Sequence, residues 1–410
     1  MSSEITGNPA PGGSFGIFPS PKGIRKTKEE NRDGEAETYV PSSDAEAEEL
    51  PPWYLPGNKV TPLFDERVTP KDDSDDIFTQ VKKSISGAKK TIQIEMFDLQ
   101  NKDVVDLLIK EAKKGIKVQV IMDPPNEDWE ESRKEVIEKL SDNGVKVLTY
   151  PAKEPGSPGA KYGQLCHVKM LLVDGDQAII GGMNWGNHSP LNHDFDVKVE
   201  GPAVDKMKWI FREDWLKSGG QSGEIPYIGH TPAHPDANAT VNVVTSSLEA
   251  KEQTIQKAIL HSIDDARESI HAELFVLSSR PAIEALKSAH ERGVDVRVIL
   301  HPLKIKGNAI NEKAFNELKE AGVPVKWYEC DSETGEKLHA KMAVFDEDKT
   351  IVGSANWSYA GFKTNREANV EILAEDVNSS FEKVFQKDWK TKTADTPTYL
   401  EDIPSGTIPA

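Results

Sequence analysis

Apolar positions between residues 77 and 150 fall into runs of two periods. Ile77 to Ala88 and Val104 to Lys114 place apolar residues three and four apart, which predicts helices with one buried face. Between and after them, Thr91 to Phe97 and Ile116 to Met122 are short, dense runs that predict buried strands. A charged helix from Asp128 to Leu140 and a strand from Val145 to Tyr150 complete the series. Gly115 and Gly144 stand where helices should stop, because glycine accepts the left-handed backbone of a helix terminus.

The same order returns later in the chain. Glu252 to Ala266 reads as helix, Ile270 to Leu277 as strand, Ile283 to Glu291 as helix and Val294 to Leu300 as strand. A helix from Glu312 to Glu320 and a strand from Val323 to Tyr328 follow. Gly115 and Gly293 are 178 residues apart, as are Gly144 and Gly322, and Tyr150 and Tyr328. Beyond Tyr150 the offset falls to 172, so the first copy carries six extra residues in the Pro/Gly-rich stretch 151–160. Strands alternating with helices in two copies predict an α/β fold. The boundaries read as a disordered tail over 1–50, a first half over 51–218, a linker over 219–246, a second half over 247–392 and a C-terminal tail over 393–410.

One polar pattern occurs once per copy. His167-Val-Lys169 is followed by Asp174 and then by Gly181-Gly182-Met183-Asn184-Trp185. His339-Ala-Lys341 is followed by Asp346 and then by Gly353-Ser354-Ala355-Asn356-Trp357, every polar position shifted by 172. On a strand, a histidine and the lysine two residues later share a face. The small residues before Asn184 and Asn356 let backbone approach a ligand closely. One copy supplies a histidine, a lysine and an amide. Two facing copies supply what displacement at a phosphodiester needs: a nucleophile, an acid for the leaving group and donors for the phosphoryl oxygens.

The pattern His-x-Lys-x4-Asp-x6-Gly-Gly/Ser-x-Asn resembles that of the phospholipase D superfamily over about residues 58–390. That family includes cardiolipin and phosphatidylserine synthases, nucleases and other phosphodiesterases. Gly57 to Asp65, Val199 to Val204 and Phe211 to Trp215, echoed by Phe385 to Trp389, resemble bacterial cardiolipin synthases, whereas Asn356 to Gly361 looks more like the nuclease branch. The aromatic pairs, four apart on a helix, are expected to pack against the sheets. The resemblance implies two tandem α/β/α sandwich halves packed as a pseudo-two-fold, bilobal monomer. It implies a phosphohistidine formed on His167, with His339 as acid, and with Lys169, Lys341, Asn184 and Asn356 holding the phosphoryl oxygens. It also places an acidic residue after each motif to hydrogen-bond a catalytic histidine. Asp194 and Glu367 occupy those positions, with Asp196 as a competitor in the first half, while Asp174 and Asp346 read as structural. No cofactor and no metal is expected for this chemistry, and no Cys/His cluster has zinc-like spacing.

Charge and composition bear on the substrate. The chain carries 68 acidic and 50 basic residues, a net charge of -18, which disfavours a protein that coats nucleic acid. A phospholipid head group is therefore the expected substrate, by hydrolysis or transfer, with peripheral membrane contact. A nucleic-acid phosphodiesterase is the alternative, and an inactive binding module comes last. No run approaches 18 apolar residues and no signal pattern opens the chain, so a cytoplasmic location is expected. The two cysteines, Cys166 and Cys330, read as free, partly buried thiols. Residues 1–50 are too polar to fold alone, and the cluster Phe15 to Phe18 reads as chance.

Overall fold

The computed structural model describes residues 53–65, 76–125, 130–153, 163–225, 229–250, 253–305, 307–331 and 333–399. The expected N-terminal tail and most of the Pro/Gly insert lie outside these. In the first half, strand β1 is Leu55–Phe64, helix α1 Ile77–Gly87, β2 Thr91–Met96, α2 Lys102–Lys113, β3 Lys117–Met122, α3 Glu130–Asp142 and β4 Lys146–Thr149. Strands β5 (Lys169–Val173), β6 (Gln177–Gly181) and β7 (Phe195–Glu200) lead to α4 (Ala203–Lys217). In the second half, β8 is Ala239–Ser246, α5 Thr254–Asp265, β9 Ser269–Leu274, α6 Arg280–Glu291 and β10 Asp295–Leu300. A two-residue hairpin, β11 (Lys304–Ile305) and β12 (Asn308–Ala309), precedes α7 (Glu312–Glu320) and β13 (Val325–Tyr328). The chain continues through β14 (Lys341–Phe345), β15 (Lys349–Gly353), β16 (Glu367–Leu373), α8 (Glu375–Thr391) and β17 (Thr393–Ala394).

Local signals explain most boundaries. Asp76 caps α1 by accepting from the Thr79 N–H at 2.6 Å, and Asn101 caps α2 through Val104 at 3.2 Å. Gly115 and Gly293 both take φ of +93° just past α2 and α6, the left-handed conformation that ends a helix.

The two halves do not have separate sheets. Among the described residues fifteen strands form one sheet, ordered β17-β13-β10-β9-β14-β15-β16-β8-β1-β7-β6-β5-β2-β3-β4. The order reads the same from either end if β8 matches β1, β16 matches β7 and so on outward, with β17 as an addition at one edge. The antiparallel β1–β8 pair lies at the centre. Strands β2, β3 and β4 are parallel to one another, as are β9, β10 and β13, and each set meets the rest of the sheet through an antiparallel pairing. Two strands fall within stretches expected to connect or trail the halves. The stretch 219–246, read as linker from its Gly, Ser and Pro content, ends in the central strand β8, and the tail from 393 begins with β17, which pairs with β13.

A shared apolar layer binds the halves. Phe64 from β1 meets Phe381 from α8 edge-on at 5.5 Å, and Phe195 from β7 meets Phe381 at 5.7 Å. All three rings are buried, and burying each such side chain stabilises by about 1.5–3 kcal/mol. The aromatic pairs four apart join the core beneath the sheet as expected, and the rings of each pair also stack, Phe211 on Trp215 at 5.7 Å and Phe385 on Trp389 at 5.8 Å. Cys166 and Cys330 are free and buried. Among the described residues no helix is long and apolar enough to cross a membrane.

Candidate active site

Each His-x-Lys segment enters the sheet at its lysine. Lys169 opens β5 and Lys341 opens β14, so His167 and His339 lie just ahead of the strands rather than within them. The backbone there is still anchored: the Phe97 N–H donates to the Val168 carbonyl at 3.1 Å, and Phe275 N–H to Ala340 at 2.7 Å. Phe97 and Phe275 also flank the site, 5.0 Å from the His167 ring and 4.7 Å from the His339 ring. Lys169 and Lys341 lie over the same two phenyl rings, at 5.1 and 5.2 Å.

The carboxylates cross between halves. His167 Nδ1 lies 2.9 Å from Glu367 Oε2, and His339 Nδ1 lies 2.6 Å from Asp194 Oδ2. A carboxylate on Nδ1 orients each ring and leaves Nε2 free of that contact. The crossing is set by backbone. The His167 N–H donates to the Arg366 carbonyl at 2.8 Å, and the His339 N–H to the His193 carbonyl at 2.8 Å. The residue preceding each acid therefore grips the opposite histidine.

The two pairs differ in detail. Glu367 also accepts from Ser354 Oγ at 2.6 Å and Asn365 Nδ2 at 3.0 Å, whereas Asp194 accepts one further bond, from the Phe195 N–H at 3.0 Å. Where the second half has Ser354, the first has Gly182, and a Cβ at Gly182 would lie 2.2 Å from Asp194 Oδ1. Asp196 is buried but turned elsewhere, accepting from the Met183 N–H at 3.0 Å, as Asn369 accepts from Ala355 at 3.1 Å.

Lysine geometry is tight. Lys169 Nζ donates to the His167 carbonyl at 2.5 Å, and Lys341 Nζ to that of His339 while lying 3.1 Å from His339 Nε2. Asn184 and Asn356 follow β6 and β15, and each has a buried Oδ1 without a hydrogen-bond partner. Trp185 and Trp357, next along, are buried, and their carbonyls accept from Gln100 and Asn101 and from Ser278 and Ser279. They fix the turns and present no aromatic shelf.

Asp174 and Asp346 lie apart from the histidines. Asp174 accepts from the N–H groups of Lys89, Lys90 and Thr91 at 2.7–2.9 Å, and Asp346 from those of Arg267, Glu268 and Ser269 at 2.7–2.8 Å. Both have φ of +52°. Each ties the end of its strand to the turn that starts the neighbouring one.

Burial governs the protonation of the centre. It lowers His167 to about 4, with Glu367 opposing, and holds His339 well below the usual imidazole value, helped by Lys341 and Lys337. It brings Lys169 down to about 7 and Lys341 to about 8. It pushes Asp194 up to about 7, against the pull of Lys341. Burial thus disfavours the charged form of both partners of the His339–Asp194 pair.

Sequence reasoning missed a second pair of clusters behind the histidines. Arg366 Nε donates to Asp214 Oδ2 at 2.7 Å, with Glu95 beside it, and at the matching place His193 meets Asp65, Glu273 and Asp388. The signal was present: Glu95 and Glu273 are acidic residues inside apolar strands at the 178 offset, and Arg366 and His193 directly precede the site acids.

The chain belongs to the phospholipase D-like family described as "Cardiolipin synthase, PLD-like domain", which matches residues 81–215 and 259–389. It is 27% identical over 318 residues to cardiolipin synthase 2 of Bacillus cereus, covering 74% of this chain and 60% of that protein. It is 28% identical over 346 residues to the cardiolipin synthase of Clostridium perfringens, covering 78% of this chain and 70% of the relative. The chain thus spans only part of the length of the curated relatives it matches. Its fold is like that of the phosphatidylserine synthase of Haemophilus influenzae, with a TM-score of 0.61 at 14% identity, covering 87% of this chain and 92% of that one.

Proposed function

We propose that the protein is a phospholipase D-type enzyme that moves or hydrolyses phospholipid head groups through a phosphohistidine. The observation that carries this is the crossed pair of histidine–carboxylate contacts, which leaves two Nε2 atoms beside two buried lysines. The reading draws also on the relatives named for cardiolipin synthesis. His167 Nε2, neutral down to a pH of about 4, attacks phosphorus, and the P–O bond to the departing alcohol breaks. His339 passes its Nε2 proton to that alcohol oxygen while the proton on the Asp194 side settles on Nδ1, which leaves a neutral imidazole beside a carboxylate. A second alcohol or water then gives its proton to His339 and attacks phosphorus, breaking the P–N bond. Lys169, Lys341, Asn184 and Asn356 hold the phosphoryl oxygens, and the Nδ1-bound Glu367 stabilises the cationic phosphohistidine.

The unequal acid partners support this choice of nucleophile. Glu367 has three donors and Asp194 two, so the first pair suits a group that carries positive charge and the second a group that passes a proton on. Both motifs lie in one chain, which suits a monomer with one composite site. The halves are assigned to residues 51–218 and 247–392, the second extended by β8 (Ala239–Ser246) from the end of the connecting stretch.

The test offers phosphatidylglycerol, phosphatidylcholine and single-stranded DNA in parallel and identifies products by mass spectrometry. Lipid products are expected from the wild type and none from His167→Ala or His339→Ala. Cleavage of DNA alone would replace the lipid assignment, and activity surviving in both variants would remove the mechanism.

A further inference from the structure

The cluster around His193 has a donor set that its counterpart lacks. In the first half, Glu95 and Asp214 surround a permanent cation, Arg366. In the second, the matching acids Glu273 and Asp388 surround an imidazole, and Asp65 adds a third carboxylate. His193, Glu273 and Asp388 are 3%, 0% and 3% exposed. Burying that many carboxylates with so little compensating charge costs several kcal/mol per uncompensated ion.

The geometry is that of a ligand shell. Asp65 Oδ2 lies 2.6 Å from His193 Nδ1, which leaves Nε2 on the side of the other two acids. Nε2 is 3.0 Å from Asp388 Oδ2 and 3.4 Å from Glu273 Oε2, without hydrogen-bond alignment to either. Tetrahedral donors on bonds of about 2.0–2.1 Å lie roughly 3.3 Å apart, which matches both separations. Both oxygens of Glu273 and Oδ2 of Asp388 have no hydrogen-bond partner. One ligand atom each from His193, Glu273 and Asp388, all three buried, lies within 4.8 Å of the others. A carboxylate behind the histidine completes the usual support for a metal-bound imidazole.

We propose that His193, Glu273 and Asp388 bind a divalent metal ion of the zinc class, as a closed structural site separate from the phosphodiester chemistry. The ion occupies the place that the Arg366 guanidinium fills across the pseudo-two-fold. Its position gives it a task. The His193 carbonyl receives the His339 N–H, and the next residue, Asp194, receives His339 Nδ1. The metal therefore clamps the segment just ahead of β7 that holds His339.

The full-length protein, stripped with a chelator and dialysed, is titrated with Zn²⁺ for stoichiometry and with Co²⁺ for visible absorption. About one tightly held equivalent per chain is expected, with a rise in melting temperature. Glu273→Gln should reduce that equivalent to none. Glu95→Gln, the matching change beside Arg366, should keep it. His193→Arg supplies the cation by side chain, so it should fold, as judged by circular dichroism, and bind no metal. Absence of a bound equivalent and of any thermal shift in the wild type would overturn the proposal and assign the cationic role to a protonated His193. Retention of the equivalent by His193→Arg would overturn it as well.

Discussion

Glu367 lies 200 residues after His167 in the chain, yet its carboxylate sits 2.9 Å from the His167 ring. The acid that follows the second motif serves the first histidine, and Asp194 serves the second. Substituting either acid therefore impairs the motif in the other half. Glu367→Gln should lower phosphohistidine formation about 10²–10⁴-fold with little change in KM, measured by rapid-quench ³¹P labelling. Asp194→Asn should slow release of a poor leaving group such as glycerol by a similar factor. On a p-nitrophenyl leaving group, which needs no proton, that loss should shrink to about tenfold or less. Equal losses on both leaving groups would contradict the acid role of the His339–Asp194 pair.

Asp174 illustrates a motif residue that acts on stability. It accepts three backbone N–H groups at the start of β2, and its φ of +52° suits Asp, Asn or Gly better than other residues. Asp174→Ala should cost about 2–4 kcal/mol in urea unfolding, from the lost charge-assisted bonds and the left-handed backbone. Those bonds are part-exposed, which keeps the figure at the lower end. kcat of the folded fraction should stay within about twofold. A large fall in kcat at full stability would place Asp174 in the chemistry.

The repeat was legible because both halves obey one folding grammar, so helices, strands and their glycine stops recur at a fixed offset. Helix α7 was read at its observed bounds, and the other paired elements within a few residues. The central strand β8 was not legible, since Asn, Thr and Ser among its valines look like loop chemistry until β1 and β16 cover its edges. The site residues showed as a pattern, but their partners did not. Which histidine meets which acid depends on how two halves close on each other, and spacing within one half carries no trace of that. The surroundings of His193 went unread for the same reason: its neighbours Asp65, Glu273 and Asp388 come from three distant segments.

The pH profile follows from the shifted groups. For activity, His167 must be neutral, which burial secures down to a pH of about 4. The lysines must be charged, and Lys169 loses its proton at about 7 and Lys341 at about 8, while the Asp194 proton leaves at about 7. kcat/KM should therefore hold between about pH 5 and 6.5 and decline through 7 to 8. For stability the sign of the His167 contribution is set by its lowered value. The unfolded chain takes up the proton below about 6.5 and the folded one only near 4, so stability is lost as the pH falls through that window. Denaturant midpoints at pH 7 and 5 should differ, and His167→Gln should reduce the difference.

The unequal halves offer a compensating exchange. Gly182 faces Asp194 where Ser354 faces Glu367, and a Cβ at 182 would fall 2.2 Å from Asp194 Oδ1. Gly182→Ser alone should displace Asp194 from His339 and lower kcat about 10²-fold or more, because a misplaced orienting carboxylate loses the tautomer it fixes. Asp194→Glu alone lengthens the side chain without giving it the serine donor and should also be impaired. The double variant recreates the pair found in the second half, with a hydroxyl donating to the glutamate as Ser354 does at 2.6 Å. Its activity should exceed the product of the two single effects by about tenfold or more, a coupling of roughly 1.4 kcal/mol or greater in a double-mutant cycle. Strict additivity would mean that the two halves hold their histidines by unrelated means.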